Sequence, residues 1–209
     1  MTERENLLAR IREALKAPSP AHGSTGAHPP AGPPAAGARQ WLPAAGRNAN
    51  DWIDLFGRNA AELNAEFRLL NSADEMRRTL VSLRDAEGWK SAGCHSGALT
   101  DAICPALNLP LVRTDRPYDV HAREACDAGI SECDALIAQT GSVLVTSRSA
   151  GGRALSVLPP HHVVLAKREQ LLPDLTAGFE LLKKKYAPDY PSLISFISGP
   201  SRTGDIERI

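Results

Sequence analysis

The stretch Ala135-Leu-Ile-Ala-Gln-Thr-Gly-Ser-Val-Leu-Val-Thr146 decides the fold class. Two runs rich in β-forming residues, Ala135–Ala138 and Ser142–Thr146, flank Gly141. Short apolar runs on either side of a glycine are typical of two strands joined by a tight turn. We therefore expect a sheet in the carboxyl-terminal half of the chain.

The pattern continues beyond this stretch. Two further β-rich runs, Ala154–Leu158 and His162–Ala166, are separated by Pro159-Pro160. Residues 168–185 have the composition of a helix, and Leu193–Ile197 predicts a last strand that runs directly into a turn. This mixture of strands and helices, closed by a strand–turn–helix unit, predicts an α/β fold with a partly parallel sheet.

Helices are predicted ahead of the sheet. Asn50 or Asp51 is a suitable N-cap, and the apolar stripe from Trp52 to Leu70 has helical spacing. Ser72 and Glu75 have the spacing of a capping box and predict the start of a second helix.

The segment between these helices and the sheet is ambiguous. Over Trp89–Leu107, a helix is suggested by Leu99, Ile103 and Leu107 after the glycine-containing stretch Gly93–Gly97. The next residues, 110–113, predict extended chain.

The amino-terminal part differs sharply in composition. Leu7, Leu8, Ile11 and Leu15 predict an amphipathic helix within residues 1–17. Residues 18–47 hold seven Pro, eight Ala and five Gly among 30 residues, which predicts a flexible linker. The helix is expected either to dock on the body or to recruit a partner, and residues 48–209 are expected to form the α/β domain.

Composition excludes several classes of protein. The 209 residues include 24 basic and 24 acidic side chains, and this balance argues against a nucleic-acid-binding protein. No apolar run approaches the roughly 20 residues that span a bilayer, and the charged amino terminus does not resemble a secretory signal. We expect a cytoplasmic protein.

The cysteines match no known cluster spacing. Cys94, Cys104, Cys126 and Cys133 contain no CxxC pair and fit neither a zinc nor an iron–sulfur pattern. We expect free, packed thiols, no metal site and no redox cofactor in this chain.

Three loops that follow predicted strands are candidate ligand sites, because open α/β sheets bind ligands at such positions. They are residues 139–142, the arginine-containing loop 147–153 and the turn 198–205, where backbone amides and Arg202 suit an anion. Ordinary tight turns remain the alternative for each. The candidate ligand residues are Gln139, Thr140, Gly141, Arg148, Arg153, Ser198, Gly199, Ser201, Arg202, Thr203 and Asp205.

Histidine offers one candidate for acid–base chemistry. His161 and His162 are adjacent and point to opposite faces of an extended chain, so they cannot share a metal. His162 is the candidate catalytic residue, and a structural histidine at a strand edge is the alternative. No HExxH, GxGxxG, P-loop or GxSxG motif is present.

Three stretches together resemble the LUD domain of the lactate utilization protein C family. They are residues 127–142 (DAGISECDALIAQTGS), 153–162 (RALSVLPPHH) and 197–207 (ISGPSRTGDIE). Residues 50–125 agree mainly in the order of elements. Members of the family usually have Glu where this chain has Gln139, which argues against covalent CoA-transferase-type catalysis there. They also continue past the last motif into a final strand, so this chain is expected either to be truncated or to leave one sheet edge unfilled.

The resemblance implies a Rossmann-like sheet with flanking helices, similar to the sugar-phosphate isomerase and CoA-transferase group. It further implies a role in oxidising L-lactate to pyruvate beside two lactate utilization partner proteins, at least one carrying iron–sulfur clusters. This chain would then be a non-redox subunit or accessory, a component of an oxidoreductase complex rather than a self-sufficient enzyme, with a small carboxylate or other anion as its candidate ligand.

Two other hypotheses stay open. One is an autonomous enzyme of the formyltetrahydrofolate cyclo-ligase or CoA-transferase type, with its ligand at the turn 198–205. The other is a binding module that recruits a partner through the amino-terminal helix. Fold alone does not separate them, since one architecture supports many chemistries.

Overall fold

The computed structural model describes residues 44–115 and 120–200 and, ahead of them, Ala9, which is helical and exposed. The chain divides into two units, Met1–Leu42 and Pro43–Ile209. Apart from Ala9, the predicted amino-terminal helix lies outside the described residues, as do most of the linker and residues 201–205. The predicted domain boundaries stay predictions.

The second unit alternates helices and strands. Its helices are α1 (Ala49–Glu62), α2 (Ala73–Glu87), α3 (Ala98–Ile103), α4 (Val120–Glu124) and α5 (Leu175–Tyr186), with 3₁₀ turns at Cys104–Leu107, Ala154–Ser156 and Arg168–Gln170. Its strands are β1 (Ala92–Cys94), β2 (Leu111–Arg113), β3 (Ala128–Glu132), β4 (Ala135–Ile137), β5 (Ser142–Thr146), β6 (His161–Leu165), β7 (Leu171–Leu172) and β8 (Ile194–Ile197). Among residues 44–115 and 120–200, no helix combines the length and apolar character needed to cross a membrane.

The first sheet is parallel throughout. Its strand order is β2-β1-β3-β6, and each neighbouring pair is parallel. Helices α2 and α3 cover one face through a buried cluster that includes Leu80, Ile103 and Ile130. The α/β fold with a parallel sheet and flanking helices is therefore confirmed.

The other face of the parallel sheet is covered by the 3₁₀ turn Ala154–Ser156. A Cβ at Gly129 of β3 would lie 2.1 Å from the carbonyl oxygen of Leu155, so only glycine lets the turn rest on the strand. The prediction of a strand over Ala154–Leu158 was wrong. In a strand, Leu155 and Val157 would lie on the same face of the sheet. Instead Leu155 is buried and Val157 is 73% exposed.

The second sheet is mixed and has the strand order β7-β4-β5-β8. β5 is antiparallel to both β4 and β8, whereas β4 and β7 are parallel. One face packs on α1 through Leu55, Phe56 and Ala60, and the other packs on α5 through Leu182 and Tyr186. Only two residues, Cys133 and Asp134, separate β3 of the parallel sheet from β4 of the mixed sheet.

Helix ends differ in part from the sequence prediction. Asn48, not Asn50 or Asp51, caps α1: its side chain accepts hydrogen bonds from the amides of both residues. α1 ends at Glu62, so the predicted apolar stripe extends beyond the helix. Phe67 still packs with the helix, because its ring lies edge-on against that of Phe56 with centroids 5.1 Å apart.

The second predicted helix begins where expected. Ser72 is the N-cap of α2, and its hydroxyl accepts a hydrogen bond from the amide of Glu75. The carboxylate of Glu75 accepts a bond from the amide of Asn71, one residue before the cap. The reciprocal half of the capping box is thus displaced by one residue.

The later elements have shifted boundaries. The helix predicted over residues 168–185 begins at Leu175, because Asp174 caps it and Pro173 precedes the cap. The ambiguous segment contains β1 as well as α3, and a three-residue strand is too short to give a periodic signal.

Candidate functional site

The carboxyl edge of the parallel sheet brings polar residues together. In parallel α/β sheets this edge is the usual place for a ligand, since strand ends and helix starts meet there. β1 leads into His95, Ser96 and the start of α3, and β3 ends at Glu132.

Glu132 is held in one orientation by backbone amides. Its Oε1 atom accepts hydrogen bonds from the amides of Leu99 and Thr100, at 2.8 and 3.1 Å, and from the Thr100 hydroxyl at 3.3 Å. Oε2 has no hydrogen-bond partner within residues 44–115 and 120–200. The carboxylate therefore caps α3 with one oxygen and leaves the other available at the sheet edge.

His95 links β1 to β3 and is buried. Its Nε2 accepts a hydrogen bond from the amide of Glu132 at 3.0 Å, so the proton of the neutral ring resides on Nδ1. Nδ1 then donates to the carbonyl oxygen of Ser96 at 2.9 Å. The ring of His95 thus joins the backbone of Ser96, after β1, to the backbone of Glu132 at the end of β3.

Arg113, at the end of β2, is neutralised by its neighbours. Its guanidinium contacts Asp101 at 2.8 Å and Asp115 at 3.2 Å, and it also donates to the Ser96 hydroxyl. The Ser96 hydroxyl donates to Asp115 at 2.8 Å, and this bond lowers the pKa of that exposed carboxyl group. The two aspartates neutralise the charge of Arg113, so this cluster presents little positive potential to an anion.

The predicted loop 147–153 lies over this edge. Gly151 has φ +68°, and a Cβ there would lie 2.3 Å from Cβ of His95 and 2.5 Å from the hydroxyl oxygen of Thr114. Glycine at this position therefore allows the loop to approach the ends of β1 and β2. The hydroxyl oxygen of Thr114 is buried and has no hydrogen-bond partner in the described part of the chain.

The two arginines of the loop differ. Arg148 forms an ion pair with Asp189 at 2.6 Å, and its guanidinium carbon lies 5.9 Å from the centroid of Tyr186. Arg153 is exposed, two residues beyond Gly151, and its guanidinium has no partner among the described residues. Arg153 is thus the arginine of this loop that is available to a ligand.

A buried network anchors the start of the loop. The Oδ1 atom of Asp134 accepts hydrogen bonds from Lys185 at 2.6 Å and from the Tyr186 hydroxyl at 2.7 Å. Burial acts to raise the pKa of Asp134, but the hydrogen bonds from Lys185, Ser149 and Tyr186 outweigh it and hold the pKa below its usual value. The network ties loop 147–153 to the end of α5.

The other predicted loops meet at the far end of the mixed sheet. β4 and β8 run in the same direction because both are antiparallel to β5, so the loops that follow them share an edge. The Ser142 hydroxyl donates to Thr140 at 2.8 Å and lies 2.6 Å from the Ser198 hydroxyl. Asn59 of α1 fixes this turn by donating to the carbonyl oxygens of Ala138 and Gln139.

The structure therefore divides the predicted ligand residues into two groups. Five lie at the hydroxyl-rich edge of the mixed sheet: Gln139, Thr140, Gly141, Ser198 and Gly199. Arg148 and Arg153 lie in the loop at the opposite end of β5, after Thr146. The remaining four, Ser201, Arg202, Thr203 and Asp205, lie outside the described residues.

His162, the candidate catalytic histidine, lies within β6 and not at a strand end. Its Nε2 is 2.9 Å from the hydroxyl oxygen of the fully buried Ser131. Burial lowers the pKa of His162 to about 4, so the ring is neutral at pH 7. An acid–base role for it stays a prediction.

Sequence reasoning missed the residues at the carboxyl edge of the parallel sheet. Glu132, His95 and Arg113 belong to strand ends, and β1 and β2 are each only three residues long. Arg113 closes the predicted extended segment 110–113, so that segment and the predicted loop 147–153 are the sequence signals that pointed toward this edge.

The cysteines are free and buried, as their spacing predicts. Cys94 and Cys104 belong to the same buried cluster, and the interaction between their thiols lowers the pKa of Cys94 and raises that of Cys104. Burial raises the pKa of Cys133 to about 12. Within the described residues, no group of three His, Cys, Asp or Glu side chains could hold a metal ion.

Comparison with known proteins identifies relatives over most of this body. A family model described as the LUD domain matches residues 53–209. "Lactate utilization protein C" of Anoxybacillus flavithermus is 28% identical over 170 residues, which are 78% of this chain and 74% of that protein.

Other relatives match over shorter regions. "Lactate utilization protein C 1" of Bacillus mycoides is 30% identical over 95 residues, 44% of this chain and 41% of that protein. "Lactate utilization protein C" of Halalkalibacterium halodurans is 36% identical over 90 residues, 42% of this chain and 39% of that protein. The chain thus aligns with about two fifths of the length of these two relatives.

A solved structure shares the fold. The crystal structure of a DUF162 family protein from Deinococcus radiodurans matches with a TM-score of 0.62 and 18% sequence identity. The match covers 74% of this chain and 90% of that structure. At this identity the likeness describes the fold and not the chemistry.

Proposed function

The chain belongs to the LUD-domain family, and we propose that it takes part in lactate utilization as a subunit without a redox centre of its own. The observation that carries this proposal is the similarity to proteins named Lactate utilization protein C, one of them aligned over 74% of its length. The proposed assembly oxidises L-lactate to pyruvate. Two lactate utilization partner proteins complete it, and iron–sulfur clusters on at least one of them accept the two electrons.

The geometry suggests what this subunit contributes. A small carboxylate needs a cation without a strong internal partner, and Arg153 meets this condition whereas Arg113 and Arg148 are paired with aspartates. Arg153 belongs to the loop that approaches the carboxyl ends of β1 and β2 at Gly151, and ligands of such folds are usually bound at that edge. We therefore assign the carboxylate contact of the proposed site to Arg153, and we propose that the assembly acts in the cytoplasm.

The test is the rate of L-lactate oxidation in extracts of the source cells with the gene deleted and then restored. Loss of the rate on deletion and recovery with the wild-type gene are the expected results. Restoration with Arg153→Ala is expected to give a rate at least tenfold below wild type, because a charge-assisted contact to the substrate carboxylate is lost.

A matched variant separates charge loss from loop damage. Arg168 is an exposed arginine whose guanidinium donates to the Asn50 side chain, away from loop 147–153 in sequence. Arg168→Ala is expected to restore the full rate. If deletion leaves lactate oxidation unchanged in cells without a second copy of the gene, the proposed function is wrong, and the autonomous cyclo-ligase-like or CoA-transferase-like enzyme becomes the leading hypothesis.

A further inference from the structure

We propose that Thr146, the last residue of β5, is a positioning residue for Arg153, because its hydroxyl group sets the direction in which loop 147–153 leaves the mixed sheet. This inference rests on the proposed function, in which Arg153 makes the carboxylate contact. The Thr146 side chain is fully buried, so any effect that it has on a ligand must pass through its neighbours.

The first argument is the direction of the hydrogen bonds that meet at Thr146. Tyr186 donates its one hydroxyl hydrogen to Oδ1 of Asp134 at 2.7 Å. In its 3.2 Å contact with Tyr186, the Thr146 hydroxyl is therefore the donor. The oxygen of Thr146 keeps its lone pairs for the amides of Arg148 and Ser149, which donate to it at 3.3 and 3.1 Å. The buried carboxylate thus orients a chain of hydroxyl groups that ends on the first residues of the loop.

The second argument is that these bonds close the loop at its start. The amide of Thr146 donates to the hydroxyl oxygen of Ser149 at 3.0 Å, and the two hydroxyl oxygens lie 3.2 Å apart. The amides of Ser149 and Ala150 donate in turn to the carbonyl oxygen of Thr146, at 3.2 and 3.0 Å. Valine in place of Thr146 would keep the backbone bonds of this turn but remove the acceptor of the Arg148 amide.

The third argument is the short stretch of chain from this turn to Arg153. Gly151 follows Thr146 by five residues, which span at most about 18 Å, and it packs on the ends of β1 and β2 with no room for a Cβ. Leu155, two residues after Arg153, rests equally closely on β3. Arg153 therefore lies between two contacts with the parallel sheet, and the direction of the chain at Thr146 determines whether the loop reaches the first of them.

A positioning role and a purely structural role of Thr146 change the kinetics differently. A misplaced Arg153 weakens the binding of L-lactate, which raises the KM of lactate oxidation and leaves the maximal rate unchanged. Loss of folded subunit lowers the maximal rate and leaves KM unchanged.

The first experiment restores the deleted gene as Thr146→Val, which keeps the side-chain shape without the hydroxyl, or as Thr146→Ser, which keeps the hydroxyl. L-lactate oxidation in extracts is measured against lactate concentration. Thr146→Val is expected to raise KM about tenfold with a maximal rate within about twofold of wild type, and Thr146→Ser is expected to match wild type. Ser192→Ala is the matched control and is expected to change neither value, because it removes a 3.2 Å hydroxyl contact with Ser147 at the exposed side of the same loop.

The second experiment needs no lactate. Limited trypsin digestion of the purified chain, followed by mass spectrometry, compares cleavage after Arg153 with cleavage after Arg78, an exposed residue within α2. Thr146→Val is expected to accelerate cleavage after Arg153 about tenfold and to leave cleavage after Arg78 unchanged, because only the loop opens. Equal acceleration at both sites, or no acceleration after Arg153, would overturn the positioning role.

The two experiments separate this proposal from the proposed function. If deletion of the gene leaves lactate oxidation unchanged, the proposed function is wrong, and the digestion still tests whether Thr146 positions the loop. If deletion abolishes lactate oxidation but Thr146→Val lowers the maximal rate and not the affinity for lactate, the positioning role is wrong and the proposed function stands.

Discussion

Glu132 and Asp134 are two carboxylates separated by one residue, at the point where the chain passes from the parallel sheet to the mixed sheet. Asp134 is buried, and Lys185 and Tyr186 both donate to its Oδ1 atom. Glu132 is only partly buried and uses one oxygen to cap a short helix. Two carboxylates close together in sequence are thus held differently: one is sealed in the interior, and the other keeps an oxygen without a partner among the described residues.

The largest effect is expected for Asp134→Ala, which should lower the free energy of unfolding by about 3 kcal/mol at pH 7. Removing the carboxylate leaves the buried Tyr186 hydroxyl without its acceptor and Lys185 without its counter-ion. Urea unfolding followed by circular dichroism measures this loss.

The control for this variant is an ion pair of equal length at the surface. Asp189 lies 2.6 Å from Arg148, the same distance that separates Lys185 from Asp134, but the Asp189 side chain is 84% exposed. Asp189→Ala is expected to change the free energy of unfolding by less than about 0.5 kcal/mol, because solvent screens exposed pairs. If Asp134→Ala and Asp189→Ala lowered the free energy of unfolding equally, burial would not explain the contribution of Asp134 to stability.

The second prediction extends the comparison of buried and exposed groups to His162, the buried histidine of the parallel sheet. The pKa of His162 is lowered by burial to about 4, against an ordinary value of 6.5. As the pH falls below 6.5 the unfolded chain takes up a proton that the folded chain does not, so stability is lost between pH 6.5 and 4. The loss attributable to this group reaches about 3 kcal/mol at pH 4 and is absent above pH 7.

The measurement is the free energy of unfolding between pH 4 and pH 7 for wild type and His162→Gln. The variant is expected to show a flatter dependence on pH, since its amide does not titrate. His161→Gln is the matched control, because His161 is the neighbouring residue and its side chain is 41% exposed, 3.7 Å from Glu87. A wild-type slope in His162→Gln would show that other groups cause the acid sensitivity.

The sequence was sufficient to predict the elements that carry strong periodic or capping signals. β5 occupies the predicted residues Ser142–Thr146, and α2 starts after the predicted cap Ser72. The antiparallel relation of β5 to both β4 and β8 could not be predicted, because pairing partners depend on tertiary contacts. For that reason the predicted ligand loops form two groups at opposite ends of the mixed sheet.

The candidate site at the carboxyl edge of the parallel sheet could not be predicted from the sequence, for a different physical reason. β1 consists of Ala92, Gly93 and Cys94, which have weak strand propensity, and it forms because its neighbours on both sides provide hydrogen bonds. Neither β1 nor β3 was predicted, so His95 and Glu132 could not be assigned to the edge of a sheet. Loop 147–153, in contrast, was predicted as a candidate because its small residues and arginines are visible in the sequence alone.

The smallest expected effect tests the comparison most directly. Glu132→Gln retains an oxygen that can accept from the amides of Leu99 and Thr100, so the free energy of unfolding is expected to fall by less than about 0.5 kcal/mol. Glu132→Ala removes this acceptor and is expected to cost about 1 to 2 kcal/mol, the usual range for loss of a helix cap. Urea unfolding of the two variants side by side provides the measurement.

The difference between these two variants identifies what the negative charge of Glu132 is for. If the amide variant is as stable as wild type, the fold needs only a hydrogen-bond acceptor at the position of Oε1, and the negative charge of Glu132 does not contribute to stability. If glutamine costs as much as alanine, the charge itself stabilises the fold, as it does at Asp134. Glu132 would then be a second structural carboxylate, and the functional contrast between the two positions would be lost.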